Sequence, residues 1–350
     1  MIRGSWMSTK YDPAMVTAGE HNAITDVPGI RVGNATRTGG GALTGTTVVL
    51  LPPGSRATVD VRGGAPATRE TAALDARYGG RVVPAIVLTG GSSYGLAAAD
   101  GVQTWLGTDD PVVPAAALYD LGRGGDFGLR PTAAFGAEAA SAAATTFESG
   151  NAGAGAGAMN ADLKGGLGTA SVVLPDGTVV AALAALNAVG PSVDHTTGLP
   201  RGLPLGATGR LRDGEPVAWQ EFPAAGGDYP SAPPPLGGNP LNTVIGVVAT
   251  TARLSPADLY RLANAGQDGL ALAVRPAHGL FDGDTVFSVS TGTADSDPEA
   301  VIAAASEVFA RALVHGLLAA ESVTTDAGRL VAYRERYPRT AAGYRGGANR

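Results

Sequence analysis

The sequence predicts a mixed α/β fold built around a sizeable buried core. Three observations lead to this prediction: apolar residues form 44% of the 350 residues, short β-branched runs alternate with alanine-rich stretches, and glycine (52) and proline (24) are abundant. A chain of this length can bury a large core as one domain or two. The turn-rich composition excludes a coiled coil.

Strands are predicted first, in the part of the chain between residues 24 and about 190. Residues 46–51 and 82–88 are apolar runs of strand length bounded by glycine and proline. Residues 171–181 form two β-branched runs around Pro175-Asp-Gly177, which predicts a hairpin because Asp-Gly readily adopts the turn.

Alanine-rich stretches lie between these strands. Residues 67–77 have the composition of a short helix, and 133–146 predict a helix that packs closely through small side chains. The glycine-alanine run at 150–158 is typical of a flexible connector.

The second half of the chain opens with a change of composition. Residues 191–240 are rich in proline and glycine and predict a flexible segment, which indicates either function or disorder. Ordered structure is predicted to resume with a buried strand at 242–249 and a helix capped by Ser255 with Pro256 in its first turn. A strand at 284–290 and a helix at 298–321, opened by Asp297-Pro298, follow. Residues 338–350 predict a polar tail.

Composition excludes several functional classes. Lysine and arginine (25) are outnumbered by aspartate and glutamate (31), and no basic run occurs, which argues against nucleic-acid binding. Cysteine is absent, so disulfides and thiol nucleophiles are excluded, and the four histidines are too dispersed to predict a metal site. No segment has the uncharged apolar length of a membrane span, and the start of the chain lacks a signal-peptide pattern. We therefore expect a cytoplasmic location, and interpret residues 1–21 as a tag-like, loose N-terminus.

A serine nucleophile is the first chemical hypothesis. Gly91-Ser-Ser93-Tyr-Gly95 fits the G-x-S-x-G pattern between a strand and a helix, which would expose Ser93. A serine nucleophile of this kind also requires an acidic residue and then a histidine later in the chain. Among the histidines, only His278 is plausibly placed for this role. A structural glycine turn is therefore the favoured interpretation.

The Gly153-Ala-Gly155-Ala-Gly157 run lacks the preceding strand of a dinucleotide-binding fingerprint, so it does not predict nucleotide binding.

The junction of Asn242 and Thr243 offers a different nucleophile. A threonine hydroxyl becomes reactive when a free α-amine on the same residue takes its proton, which requires cleavage immediately before the threonine. Thr243 follows the proline- and glycine-rich segment and opens a predicted buried strand. This pattern alone is a weak signal, because threonine is ordinary at strand starts.

Three charged residues are further candidates. Asp282 and Asp284 stand two positions apart at a strand entrance, where they could form a turn or orient an amine or hydroxyl. A calcium-type loop would need more oxygen ligands. Lys164 is the only lysine besides Lys10 and lies among uncharged residues, although a solvated surface position is the simpler interpretation.

Together, several motifs in fixed order resemble the DmpA-type aminopeptidases, which are N-terminal-nucleophile hydrolases. The resemblance covers residues 22–320 and is closest to the 6-aminohexanoate-oligomer hydrolases, which carry threonine where the aminopeptidases carry serine. Residues 191–240 do not align with the family pattern. The motifs that carry the resemblance are 24–33, 60–66, 68–71, 88–96, 242–243 and 275–284.

The resemblance implies a four-layer α-β-β-α sandwich formed by a single hydrolase domain at 22–320. It implies self-cleavage into chains 1–242 and 243–350, a homotetramer of the processed chains, an amide substrate, and no cofactor or metal. It also implies a set of site residues: Thr243 as nucleophile after Asn242, Lys164 and Asp284 bonded to its amine and hydroxyl, Asp282 behind them, Asn187 at the oxyanion, and Tyr119 as an active-site tyrosine.

Four hypotheses for function follow. The favoured one is a self-processed amidase that cleaves 6-aminohexanoate oligomers internally. An aminopeptidase for β- or D-amino-acid peptides is the near alternative, since both share the chemistry of an activated hydroxyl and an oxyanion donor. An ornithine acetyltransferase-like enzyme, which also self-cleaves before threonine, is a third hypothesis. A non-enzymatic binding module is the fourth.

Overall fold

Two facing β-sheets form the centre of the molecule. The computed structural model describes residue 11 and residues 15–107, 112–194, 198–202 and 241–338. Most of the proline- and glycine-rich segment at 191–240, the first ten residues and nearly all of the tail at 338–350 lie outside the described residues, so the predictions made for them stay predictions.

The first sheet has five strands. In spatial order these are β1 (Arg31–Gly39), β2 (Ala42–Leu50), β6 (Ala85–Thr89), β7 (Ala115–Ala117) and β4 (Ala67–Arg69). The second sheet has six strands, in the order β10 (Leu167–Val173), β11 (Val179–Ala185), β12 (Ile245–Ala252), β13 (Thr285–Ala294), β3 (Arg56–Val61) and β5 (Arg81–Val82). Two short antiparallel pairs complete the strands, β8 (Met159–Asn160) with β9 (Leu163–Lys164) and β14 (Val323–Thr325) with β15 (Gly328–Leu330).

Helices cover the outer face of each sheet. Helices α2 (Ala98–Leu106) and α3 (Ala133–Ser141) pack on the first sheet, whereas α4 (Pro256–Ala273) and α5 (Pro298–Ala319) pack on the second. One apolar cluster lies between the two sheets, and one lies under each helical layer. The order of layers is therefore α-β-β-α, which confirms the predicted sandwich. The short helix α1 (Ser92–Gly95) follows β6, and the short helix α6 (Tyr333–Arg336) contributes the buried Tyr333 to the cluster under α4 and α5.

The central strand β12 shows how the sequence determines this layering. Ile245 and Val247 point into the cluster between the sheets, whereas Val248 and Ala252 point into the cluster under α4 and α5. Successive side chains of a strand face opposite sides, so a strand buried on both faces is apolar without interruption. All eight residues of β12 are buried accordingly.

Several local predictions are confirmed. The hairpin around Asp176-Gly177 forms between β10 and β11, which pair antiparallel. The Ser255 hydroxyl accepts a hydrogen bond from the backbone N–H of Asp258 at 3.2 Å, and the Asp297 carboxylate caps α5 through the N–H of Glu299. Within the described residues, α5 is the one helix long and apolar enough to cross a membrane, with a mean hydropathy of 1.5, but 78% of that window is buried inside the protein, as in a core helix.

Two local predictions are wrong, and in both cases tertiary contacts outweigh composition. The helix predicted at 67–77 is instead β4 followed by two 3-10 turns, because β4 pairs with β7 and is held at the edge of the first sheet. The segment 150–158 is not a flexible connector. It is buried, and Gly150 exchanges both backbone hydrogen bonds with Leu167 at 2.7 and 2.9 Å. The helix predicted at 133–146 ends earlier, at Ser141.

Helices α2 and α3 approach each other backbone to backbone. A Cβ atom added to Gly136 would lie 1.8 Å from the carbonyl oxygen of Ala98, and one added to Gly101 would lie 1.7 Å from that of Ala133. No real Cβ contact is this short, so glycine is required for this spacing.

We predict that Gly136→Ala destabilises the fold by about 1–3 kcal/mol, since the added methyl group must push the helices apart. Helix propensity alone predicts the opposite sign, a gain of about 0.5–1 kcal/mol. Urea unfolding followed by circular dichroism measures the difference. The control, Ala134→Met on the exposed side of the same helix, should stay within about 0.5 kcal/mol of the parent. A Gly136→Ala protein more stable than the parent would contradict the packing argument.

Candidate active site

Thr243 lies immediately before β12, enclosed by neighbouring strand ends. Thr243 and Asn242 are each only 4% exposed. The backbone N–H of Thr243 donates to the carbonyl of Asn187 at 2.7 Å, and the N–H of Asn242 donates to the carbonyl of Phe281 at 3.1 Å. The peptide bond between the two residues is therefore held on both sides, at the point where β11 ends and β13 begins.

The hydroxyl of Thr243 lies beside the carbonyl group that precedes it. Thr243 Oγ1 donates to the carbonyl oxygen of Asn242 at 2.5 Å, and the N–H of Gly283 donates to Oγ1 at 3.2 Å. A hydrogen bond donated to an oxygen favours negative charge on it. Thr243 Oγ1 is thus close to the carbonyl group of Asn242, whose carbon a cleaving nucleophile would attack. It also accepts a hydrogen bond from the backbone of Gly283.

Two carboxylates flank Gly283. Asp284 Oδ1 accepts from the N–H of Val244 at 2.9 Å, and its Oδ2 accepts from the backbone N–H of His278 at 3.0 Å and contacts His278 Nδ1 at 2.9 Å. Asp282 accepts from the N–H groups of Val189 and Gly279, each at 3.2 Å. Burial and the adjacent Asp284 carboxylate raise the pKa of Asp282 to about 6. Both predicted carboxylates therefore lie beside the start of β12 at Thr243, and His278 is an additional partner of Asp284.

Asn187 is fully buried in a fixed orientation. Its Oδ1 accepts from Arg123 Nη1 at 2.6 Å and from the N–H of Met159 at 2.9 Å. With both donors on the oxygen side, the amide NH₂ points the other way, where its hydrogen bond is a long one of 3.5 Å to the carbonyl of Tyr119. Most of the donor capacity of this NH₂ is left for another acceptor, as an oxyanion donor requires.

Arg123 connects Asn187 with the junction residue. Besides its bond to Asn187, the guanidinium donates from Nη1 to the carbonyl of Gly157 at 2.7 Å and from Nη2 to Asn242 Oδ1 at 2.8 Å. Burial lowers the pKa of Arg123 to about 10, while Asp120 and Tyr119 act in the opposite direction. Sequence reasoning missed this arginine. The available signal was a single arginine in the loop Gly122-Arg-Gly-Gly125, directly after the candidate Tyr119.

Lys164 is completely buried, so the surface interpretation is wrong. Its Nζ donates to the carbonyls of Gly155 at 2.8 Å and Gly165 at 2.6 Å. Burial, with a contribution from Arg123, lowers its pKa to about 7, and Asp120 opposes this shift. Lys164 thus belongs to the same charged cluster as Arg123. Its hydrogen bonds go to carbonyl groups rather than to Thr243, and His278 rather than Lys164 pairs with Asp284.

Asp120 links this cluster to the glycine turn at 91–95. Its Oδ1 accepts from the N–H of Gly91 at 2.7 Å, and burial raises its pKa to about 6. Ser93 is exposed on α1. Of the three histidines in the described part of the chain, His278 contacts Asp284 through Nδ1, His315 contacts the carbonyl of Thr169 through Nδ1, and His21 donates its backbone N–H to Asp26. The serine triad is therefore not assembled there, and the turn is structural.

The described residues thus bring together the Thr243 hydroxyl, the Asn187 amide, the carboxylates of Asp282 and Asp284, the buried Lys164 and the half-buried Arg123. Among those residues, no group of three or more histidine, aspartate or glutamate side chains could hold a metal ion. The set of functional groups is suited to amide hydrolysis through a covalent ester.

Comparison with known proteins agrees with this chemistry. Residues 22–331 match the model of peptidase family S58. An uncharacterized aminopeptidase of Mycobacterium leprae is 44% identical over 348 residues, covering 88% of this chain and 93% of that protein. A 6-aminohexanoate-oligomer endohydrolase of Kocuria sp. is 32% identical over 301 residues, covering 80% of this chain and 78% of that protein.

Solved structures share the fold. A beta-aminopeptidase of Burkholderia sp. superposes with a TM-score of 0.70 at 24% identity, covering 98% of each chain. The L-aminopeptidase D-Ala-esterase/amidase of Ochrobactrum anthropi, described as a variant of the Ntn hydrolase fold, superposes with a TM-score of 0.66 at 22% identity, covering 93% of this chain and 96% of that one. The chain therefore belongs to peptidase family S58, the DmpA-type N-terminal-nucleophile hydrolases, and is an enzyme that hydrolyses amide bonds.

Proposed function

We propose that this enzyme cleaves its own chain before Thr243 and then uses the exposed threonine to hydrolyse amide substrates. The observation that carries the proposal is the 2.5 Å contact between Thr243 Oγ1 and the carbonyl oxygen of Asn242 at a buried strand start. A hydroxyl held against the preceding carbonyl is arranged for an intramolecular acyl shift.

In the first step, Thr243 Oγ1 attacks the carbonyl carbon of Asn242, and the C–N bond of that peptide breaks. The acyl group moves to oxygen, and the nitrogen of Thr243 takes up a proton to become an amine. Water then hydrolyses the ester and releases Asn242 as a new carboxyl terminus. We assign the transfer of this proton to Asp282, which directly precedes Gly283, the residue whose N–H donates to Thr243 Oγ1 at 3.2 Å, and whose raised pKa makes its carboxylate a stronger base than an ordinary aspartate.

In the second step, the new amine of Thr243 serves as the base for its own hydroxyl. The side-chain NH₂ of Asn187 stabilises the oxyanion that forms on the substrate carbonyl. Arg123, and Lys164 below a pH of about 7, place positive charge in the same cluster, which favours the neutral form of the amine and hence its ability to accept a proton. The γ-methyl group of threonine restricts χ1 and limits the rotation of the hydroxyl.

For the substrate, the sequence-based proposal is a 6-aminohexanoate oligomer cleaved internally. It is supported by the Kocuria endohydrolase and by the threonine at position 243. The second candidate is an aminopeptidase activity on β- or D-amino-acid peptides. It is supported by the higher identity to the mycobacterial aminopeptidase, 44% against 32%, and by the fold shared with a beta-aminopeptidase. The homotetramer and the cytoplasmic location stay predictions.

The first prediction concerns self-cleavage. The purified parent should separate under denaturing conditions into chains of about 24 and about 11 kDa, by length from the total of 34.8 kDa, and the small chain should begin Thr-Val-Ile-Gly. Thr243→Ala should remain a folded, intact and inactive chain, because only the hydroxyl is lost. Ser93→Ala is the control and should process normally. Cleavage of Thr243→Ala, measured by intact mass, would refute the proposal.

The second prediction separates the two substrate classes. Amine release from a 6-aminohexanoate trimer and from a β-alanyl amide should be compared on the same processed enzyme. An endohydrolase should favour the oligomer by at least about tenfold in kcat/KM, whereas an aminopeptidase should favour the β-alanyl amide by a similar factor. Acetyl transfer from N-acetylornithine to glutamate is the control for the acetyltransferase hypothesis, and we expect none.

The third prediction concerns Lys164. Lys164→Met should fold, process slowly or not at all, and lose roughly ten- to thousandfold in turnover, since a positively charged partner of the reaction is removed. Processing and turnover within a factor of two of the parent would remove Lys164 from the site.

A stability measurement checks its burial independently. The pKa of Lys164 is about 7 in the folded chain and 10.5 when unperturbed. Between these pH values the unfolded chain binds the extra proton, so the free energy of unfolding rises with pH through this window. In the uncleaved Thr243→Ala background, Lys164→Met should lack this rise. Parallel pH profiles for the two proteins would show that Lys164 is accessible to water in solution.

A further inference from the structure

Asn242 reports where the acyl part of a substrate binds. This inference rests on the proposed function, in which Thr243 Oγ1 forms an ester first with the acyl group of Asn242 and later with that of the substrate. Both esters are made by the same oxygen, which is fixed at the start of β12. The groups that contact Asn242 in the uncleaved chain therefore line the acyl-side pocket of the processed enzyme.

The polar end of this pocket is Arg123. Its Nη2 donates to Asn242 Oδ1 at 2.8 Å, while Nη1 is held by Asn187 Oδ1 and by the carbonyl of Gly157. Because Nη1 is already fixed by two acceptors, the guanidinium cannot turn away when Asn242 leaves. A donor in a partly buried position then lacks its acceptor, which is a costly state that a matching ligand group relieves.

A second contact marks the position of a free amino group. The N–H of Asn242 donates to the carbonyl of Phe281 at 3.1 Å. In a substrate whose acyl residue is the first residue, a free α-amine takes the place of this N–H. An amine at this position can donate to the carbonyl of Phe281, and the residue after Phe281, Asp282, carries a carboxylate. A cationic side chain on the same acyl residue would instead point at the guanidinium of Arg123.

We propose that Arg123 is a specificity-determining residue that selects amides whose acyl residue carries a hydrogen-bond acceptor at the position of an asparagine side-chain carbonyl. Among amides of α-amino acids, the favoured substrates are therefore amino-terminal asparaginyl and aspartyl amides. An apolar acyl residue leaves Nη2 without an acceptor, and a lysyl residue adds repulsion. Through Nη1, Arg123 also positions the Asn187 amide.

The test compares p-nitroanilides of asparagine, aspartate, leucine and lysine on the processed parent, Arg123→Lys and Arg123→Met. In the parent, kcat/KM for the asparaginyl and aspartyl compounds should exceed that for the leucyl compound by about tenfold or more, with the lysyl compound lowest. In Arg123→Met the asparaginyl-to-leucyl ratio should fall to near one. Arg123→Lys keeps the positive charge but loses the planar guanidinium with its paired N–H donors, so it should retain part of the asparaginyl-to-leucyl ratio.

The ratio separates specificity from a purely structural role. If Arg123 only positions Asn187, Arg123→Met lowers turnover of every substrate equally and leaves the ratio unchanged, which would overturn the proposal. A second series does not depend on variants of Arg123. In the otherwise unchanged chain, Asn242→Asp should process at about the parent rate, whereas Asn242→Leu and Asn242→Lys should process at least about tenfold more slowly. Equal processing of all three would also overturn it.

Failure of the proposed function gives a different result. If Thr243→Ala is still cleaved, the nucleophile itself is misassigned, whatever the behaviour of Arg123. If Thr243→Ala stays intact and the parent hydrolyses the asparaginyl and leucyl compounds equally well, only the role of Arg123 is refuted.

Discussion

The whole site depends on the hydrogen bonds that fix the start of β12 from both sides. Thr243 donates to the Asn187 carbonyl at the end of β11, and Val244 donates to the Asp284 carboxylate, while the N–H of Thr285 returns a bond to the Val244 carbonyl. The two backbone bonds extend the sheet ladder. Because β12 is paired on both sides and buried on both faces, Thr243 at its start has almost no freedom to move. The geometry of the proposed reaction is therefore set mainly by backbone pairing.

The second constraint is the burial of charge in the cluster beside Thr243. Taking Lys164 and Asp120 out of water, and Arg123 partly so, is unfavourable unless each finds polar partners. The structure supplies these partners largely as backbone carbonyls, from Gly155 and Gly165 for the lysine and from Gly157 for the arginine. Glycine at these positions lets the backbone carbonyls come close enough to accept hydrogen bonds from the two cationic side chains. The glycine-alanine run thus forms one wall of the site.

The sequence predicted the strands and capped helices well, because their signals are local. β12 is an apolar run, the β10–β11 hairpin has an Asp-Gly turn, and α4 and α5 begin at Ser255 and Asp297. By resemblance it also pointed to Asn187 and Asp284, which lie around Thr243, whereas the hydrogen bonds of Lys164 go to carbonyl groups instead. It could not predict the strand at 67–69 or the burial of 150–158, since both depend on partners distant in the chain. Arg123 was missed for the same reason, because its importance lies in contacts with residues 64 and 119 positions away.

The burial of the junction between Asn242 and Thr243 has a consequence for how active enzyme accumulates. Both residues are almost inaccessible to solvent, so a protease from outside cannot reach this bond in the folded chain. In the unfolded chain the bond is exposed, but the carboxylates, the amide donor and the buried cations are scattered along the sequence and do not act on it. In the proposed mechanism the hydroxyl of Thr243 cuts this bond only in the folded chain. Each active molecule is therefore one whose sheets have already assembled. Cleavage then reports folding, and the fraction of cleaved chains in a preparation equals the fraction of molecules that have reached the native fold.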